Sequence, residues 1–213
     1  MKTIKELKEK ILKEVDAVFD IDTSEMTYEE EEKLNERFLK PLREIGAMGE
    51  SEEVMSVLFE FLSESGSNDL REGAFDILET MSHSKIAEVL LEWLNGKDKE
   101  KYELAVGAVS TIDTIISGRR VFANSGDNKE KPGQFPLMDE FNKPGGIIDR
   151  IIEVYEKDEN VFNKSKAVSI LGGIGTDVRK IKPILEDALN HPSSWVYDDA
   201  EYALECLAKY NRK

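Results

Sequence analysis

An all-α fold is what this sequence predicts, and three observations predict it. Apolar residues recur three and four positions apart along nearly the whole chain, the spacing of one helical face. Strict apolar and polar alternation over strand length is scarce. A short pattern also returns at near-constant intervals, as one helical unit repeated along the chain would produce.

The elements follow in order. Ile4, Leu7, Ile11, Val15, Val18 and Phe19 form the stripe of a first helix. Thr27 and Glu30 spell a capping box that opens a second through Leu34, Phe38 and Ile45, which Pro41 is expected to bend or shorten. Ser51 can cap a third, with Val54, Val57, Leu58, Phe61 and Leu62 on its apolar side, and the cluster Ser65-Gly66-Ser67-Asn68 ends it. A fourth spans roughly residues 69–81. The fifth carries Ile86, Val89, Leu90, Trp93 and Leu94, and the sixth runs through Tyr102, Ala105, Ala108, Val109, Ile112 and Ile116 to Gly118, its expected stop. Residues 118–146 then read as a long insertion rich in turn residues, among them Asn124 to Asn128, Lys131-Pro132-Gly133 and Lys143-Pro144-Gly145-Gly146. Within it only Phe135 to Phe141 can form a short helix. Helical spacing resumes with Ile147, Ile148, Ile151, Ile152 and Tyr155, then from Val161 to Ile174, Val178 to Leu189 and Trp195 to Tyr210. Ten helices result, apart from the short one.

Aligning the second helix of each pair gives Leu70-Arg71-x-x-Ala74-x-x-Ile77-Leu78, Leu104-Ala105-x-x-Ala108-x-x-Thr111-Ile112, Asn163-Lys164-x-x-Ala167-x-x-Ile170-Leu171 and Val196-Tyr197-x-x-Ala200-x-x-Ala203-Leu204. The alanines stand 34, 59 and 33 residues apart, and removing about 25 inserted residues restores one period. A small residue there lets two helices approach closely, while the large residues beyond it fill the shared core. At these positions, and in Leu185-x-x-Ala188-Leu189-x-His191-Pro192, the chain resembles the HEAT-repeat family, including the short HEAT-like repeats of the phycobilisome-lyase type. Ala105 and Tyr197 depart from the family's basic residue, and Asn163 from its apolar one. The resemblance covers roughly residues 50 to 210. It implies a right-handed α-solenoid of about five antiparallel helix pairs, one domain over 1–213, with a divergent pair at 1–47 and the inserted loop at 118–146. With layers ~10 Å apart, such a stack would be about 50 Å long.

Composition narrows the chemistry. The 213 residues carry 29 Lys plus Arg against 44 Asp plus Glu, a formal charge of −15, with 40% hydrophobic and 34% charged residues. That is enough apolar material for a sizeable core. The first residues interleave charge with apolar side chains, unlike a secretory signal, and no run approaches a membrane span, so a soluble cytoplasmic protein is expected. Cys206 is the single cysteine, which excludes an internal disulfide and a cysteine-rich zinc site. It falls on the packing side of the last helix and reads as a buried thiol. The two histidines, His83 and His191, fall in turn or cap segments. Asp20-x-Asp22-x-Ser24 with Glu31 has calcium-loop spacing, but Glu25 stands where the sharp turn needs glycine, and the capping box explains the region as a helix start. Gly172-Gly173-Ile174-Gly175 follows a helix and lacks the Lys-Ser/Thr ending of a phosphate loop, so it reads as a helix terminus. No catalytic group, metal or cofactor is expected.

Charge distribution points to a protein partner. Residues 1 to 64 contain 9 basic and 18 acidic residues. Dipole complementarity accounts for carboxylates at helix starts, and the functional reading is that Glu30, Glu31, Glu52 and Glu53 present one acidic surface that steers a basic protein. The nearly neutral insertion adds Phe122, Phe135 and Phe141 as a contact element. Direct nucleic-acid binding is not expected at −15, because Arg119-Arg120 and Arg179-Lys180-Ile181-Lys182 are too short to supply a basic face. No membrane partner is expected either. Trp93 and Trp195 read first as core residues. Trp195, Tyr197, Asp198 and Asp199 are also the nearest candidates for a convergent site, with the first three counted among the partner-binding residues. The expected function is non-enzymatic protein binding, in its most concrete form an immunity protein that neutralises a cationic nuclease toxin. The alternatives are a HEAT-like lyase, glycosylase or cofactor-binding module, and a general scaffold.

Overall fold

The computed structural model describes residues 2–19, 21, 26–123 and 134–210, and every regular element among them is helical. Eleven helices occur there: α1 (Ile4–Phe19), α2 (Tyr28–Gly46), α3 (Glu52–Glu64), α4 (Asn68–Glu79), α5 (His83–Asn95), α6 (Lys99–Ala123), α7 (Pro136–Phe141), α8 (Ile147–Lys157), α9 (Val161–Gly173), α10 (Val178–Ala188) and α11 (Ser194–Tyr210). The chain divides into two compact units, Met1–Ser82 and His83–Lys213, where the sequence reading has one domain.

Local chemistry sets the helix starts. Thr27 Oγ1 accepts from the backbone N–H of Glu30, and the Glu30 carboxylate accepts in return from Thr27 N at 2.9 Å, completing the expected capping box. Ser51 accepts from Val54 N at 3.3 Å, and Ser67 from Leu70 N at 3.2 Å. Each satisfies one of the first N–H groups of its helix, which have no partner within it. Pro41 does not end α2, which continues to Gly46. The ring is buried among Phe38, Leu42 and Ile45, so packing compensates for the backbone hydrogen bond it removes.

In the first unit α1 packs on α2, α3 on α4, and α2 on α4. In the second, α5 pairs with α6, α8 with α9 and α10 with α11. The second helices of these pairs form one layer, α6 on α9 and α9 on α11, while α5 meets α8 on the other side. The four repeat alanines, Ala74, Ala108, Ala167 and Ala200, are all fully buried. Contact tightens further at the end of α9. A Cβ on Gly172 would overlap Ala203 of α11, including its backbone, and one on Gly173 would overlap the carboxylate of Asp113 and Ser117 Oγ on α6. The glycine run is therefore the place where three helices close on one another.

Two expectations about the insertion are corrected. Gly118 does not stop the sixth helix, which runs on to Ala123. Arg120, one of three buried polar residues among the described residues, holds this extra length to its neighbour by donating from Nη1 to Gly173 O at 2.5 Å. Nor does the second half of the insertion project: α7 packs on α5, and Phe135, Leu137, Met138 and Phe141 are buried. Asn142 ties its end down, donating to Ile174 O at 2.8 Å and accepting from Thr176 N at 2.9 Å. Residues 124–133 lie outside the described residues, as do Asp20, Asp22 and Ser24 of the calcium-like spacing.

Other departures from the repeat pattern have partners. Asn163, buried where the family has an apolar residue, donates from Nδ2 to Asp158 at 3.0 Å, and Tyr102 of α6 donates to the same carboxylate. Arg150 of α8 caps the last turn of α5 through Leu94 O at 2.8 and 3.1 Å.

The glycines allow a direct test. Gly172→Val is expected to destabilise the protein by about 3 kcal/mol, at the upper end of overpacking costs. Gly118→Ala, whose Cβ would meet nothing within 4 Å, should stabilise it by about 0.5–1 kcal/mol. Urea unfolding of both variants reads the difference, and a neutral Gly172→Val would refute the close approach.

Candidate functional site

Glycine also shapes the larger concavity of the first unit. Gly73 of α4 faces Leu39 and Leu42 of α2, so that a Cβ there would lie 2.7 Å from Leu39 Cδ2. Gly46 faces Ile77, and a Cβ would lie 2.6 Å from its Cγ2. Next to this contact a groove of about 560 Å³ opens between the two helices. Its floor is Leu39, Leu42, Ile77 and the two glycines, and its α4 side carries Asp69, Glu72 and Asp76, all exposed. These acids stand three and four residues apart, on one helical face. Arg43, on the α2 side, is paired with Glu36. Residues 1–82 as a whole carry 22 acidic against 10 basic residues, so most of the net charge of the chain belongs to this unit.

The four glutamates expected to form one surface do not come together. Glu31 lines a smaller cleft with Leu34, Phe38 and the Gly66–Asp69 turn, at the end of the unit where α3 gives way to α4. Glu52 and Glu53 open α3 just after the last turn of α2, about 27 Å of helix away from its start. The length of α2 thus separates the glutamates at its start from those that open α3. Glu30 has a local role: donation from the Thr27 backbone and then its hydroxyl holds the Glu30 carboxyl below its ordinary value.

The aromatic candidates separate as well. Phe135, the N-cap of α7, and Phe141, its last residue, are buried and cannot serve as exposed contacts. Phe122 lies on α6, with its side chain outside the described part. Trp93 is buried as expected, but Trp195 is 51% exposed and lies against the exposed Phe162, ring centres 4.3 Å apart and planes tilted by 43°. Its place in the core is therefore corrected: residue 195 opens α11 at the edge of the layer. Tyr197 and Asp198 are also exposed. Residues two apart on a helix face different ways, so Trp195 and Tyr197 do not converge. Asp199 accepts from Ser165 Oγ of α9.

A second concavity lies in the second unit, about 240 Å³ between α6, α9 and α11. Asp113 forms part of its wall and is only 4% exposed. Ser117 Oγ donates to its Oδ1 at 3.2 Å. Burial pushes the Asp113 carboxyl up to about 7, against the opposing pull of the Ser117 hydrogen bond and the Arg120 charge. Cys206 is buried on the α11 side, and burial raises its thiol, outweighing the hydrogen bond from Tyr202. A raised thiol is a poor nucleophile at neutral pH. His191 accepts from Ser193 N at 3.1 Å inside its turn, and His83 opens α5. Among the described residues no group of three or more His, Cys, Asp or Glu side chains is placed to hold a metal ion.

Neither concavity was singled out from the sequence, though both left traces. Asp69, Glu72 and Asp76 follow one helical face beside the repeat alanine. Asp113 and Arg120 continue the buried run Val106, Val109, Ile116 on α6, and a charge in apolar phase marks a buried polar site.

These features define an all-helical protein of repeated helix pairs. No family model matches the chain, and no curated protein matches it. Among solved structures it is similar to a designed armadillo repeat protein, at 14% identity over 94% of this chain and 99% of that one, with a TM-score of 0.33. So low a score carries no argument, and the helix-pair register above rests on this chain alone. No helix among the described residues is long and apolar enough to cross a membrane.

The buried acid makes a pH prediction. Its folded value of about 7 lies above the ordinary 3.8, so its contribution to stability is complete below pH 3.8 and lost as pH rises through 7. Asp113→Asn is neutral throughout and should gain on the wild type by about 2 kcal/mol between pH 5 and pH 8. Parallel stability curves for the two proteins, from urea midpoints across that range, would count against a raised Asp113.

Proposed function

We propose that this chain is a non-enzymatic protein-binding module whose first unit takes a basic segment of a partner into the groove between α2 and α4. The observation that carries the reading is an apolar floor bordered by Asp69, Glu72 and Asp76. Such a groove suits a segment that presents an aliphatic side chain between lysines or arginines: the aliphatic group is buried on Leu39, Leu42 and Ile77, and the cations meet the carboxylates. Burial supplies roughly 25 cal/mol per Å² of apolar surface. The acidic rim contributes mainly to encounter rate and to the rejection of acidic partners. The charge of the whole unit works in the same direction at longer range, to about 8 Å beyond the surface at physiological salt.

A narrower form of the proposal makes the partner a cationic nuclease toxin and this chain its immunity protein. It rests on the formal charge of −15 and the repeat form. A multi-partner scaffold would use the same groove with less discrimination.

The test begins with capture of partners by tagged protein at low and high salt, identified by mass spectrometry, followed by association rates with each purified partner. A single basic protein that binds at low salt and is lost at high salt is expected. Reversal of Asp69, Glu72 and Asp76 to lysine should slow its association at least tenfold and flatten the salt dependence, while Glu205→Lys in the second unit should change little. Suppression of a nuclease activity in the captured partner would support the narrower form. Capture of many proteins would favour the scaffold, and association unaffected by the triple reversal would sink the groove.

A further inference from the structure

We propose that the pocket between α6, α9 and α11 is a binding site for a compact primary ammonium carrying an apolar body. It lies wholly in the second unit and is independent of the groove proposed for the basic partner.

The pocket combines one buried acid with largely apolar walls. Asp113 forms a buried part of its wall, while Val121, Ala203 and Cys206 supply apolar surface and Tyr202 an aromatic one. Gly173 of α9 leaves the space the carboxylate occupies, since a Cβ at that position would overlap it. Burying a carboxyl is costly unless a charge or hydrogen bonds compensate. Here Ser117 donates one hydrogen bond, and burial still outweighs both Ser117 and the Arg120 charge. A ligand that brings a positive charge would add the missing compensation, and one with an apolar body would also use the walls.

Other ligand classes fit less well. An anion would meet the carboxylate at its ionised end. A divalent cation needs several oxygen or nitrogen donors, and no cluster of three candidate side chains is present among the described residues. A hydrocarbon would fill the walls but add no compensation for the buried Asp113 carboxyl. Size is consistent with one ring and a short arm, because a cavity of ~150 Å³ already admits benzene and this one measures about 240 Å³. Entry is open where Val121 and Tyr202 are exposed and where Gly118 has nothing within 4 Å of the position a Cβ would take.

Binding of this kind is linked to protons. The groups facing Asp113 are Ser117 and Arg120 on its own helix and Tyr202 and Cys206 on α11, while α9 presents the non-titrating Ser169 and Gly173. With the carboxyl near 7, an ammonium that stabilises its ionised form should displace a proton at pH 6.5.

Benzylammonium and its neutral isostere benzyl alcohol are suitable probes for calorimetry on the intact chain at pH 6.5, in two buffers of different ionisation enthalpy. The ammonium is expected to bind at least tenfold more tightly than the alcohol and to release a fraction of a proton. Asp113→Asn should bring the ammonium down to the affinity of the alcohol and abolish proton release. Gly118→Leu, which places a side chain in the open mouth without touching the carboxyl, should weaken both probes. Equal affinity for the two probes, an Asp113→Asn protein that keeps the preference, or no binding of either at millimolar concentration would each overturn the proposal.

Discussion

The close approach of the second helices in each pair is the constraint on which the rest of this structure depends. Ala74, Ala108, Ala167 and Ala200 are fully buried at equivalent positions, and Gly172 meets Ala203 so closely that no side chain fits between α9 and α11. Close backbone approach brings the large residues three and four positions further on into the core of each unit, Leu78 in the first and Ile112 and Leu171 in the second. The neighbouring positions are held to this spacing. Arg120 reaches the carbonyl of Gly173, and Asn142 reaches the carbonyl of Ile174, because the chain on the far side is within hydrogen-bonding distance. A larger residue at 172 would open this side of the layer and separate both pairs of groups.

The same constraint distributes charge. With one face of each helix committed to apolar contact, the acids collect on the opposite faces, and in the first unit they outnumber bases by more than two to one. Buried polar residues are then exceptions with individual explanations. Asn163 and Asp158 satisfy one another together with Tyr102. Arg120 satisfies a carbonyl at the end of α9, where the last turn leaves acceptors without helical partners. Asp113 differs from these, having a single hydroxyl donor and a cavity beside it.

Much of the fold was legible in the sequence because its signals are local. Thr27 with Glu30, Ser51, and the Ser65 to Asn68 cluster each act within a few residues, and the structure has the helix ends they specify. The alanine register was legible because a repeat states the same requirement four times. What was not legible depends on contacts between distant residues. Gly118 looks like a terminus, but α6 continues because Arg120 finds a partner 53 residues away. Phe135 and Phe141 look like an exposed aromatic loop, but both are buried once α7 packs on α5. The glutamate clusters failed for a geometric reason: sequence places them at successive helix starts, and only the packed arrangement shows that successive starts lie at opposite ends. Trp195 has the composition of a core residue and the position of an edge residue, and position decides.

Both concavities arise where a glycine stands in place of a side chain that packing would otherwise accommodate or exclude. Gly46 and Gly73 bring α2 and α4 together at two points, and the space beside those contacts becomes the groove. Gly173 makes room for the Asp113 carboxylate, and Gly118 leaves the mouth of the second pocket uncovered. A mid-helix glycine costs about 1 kcal/mol relative to alanine, and Gly118 lacks even a packing reason for that cost. A glycine required by a close backbone approach explains itself through the approach. Gly118 has no such contact to explain it, and it stands on the wall of the same pocket that holds the buried Asp113.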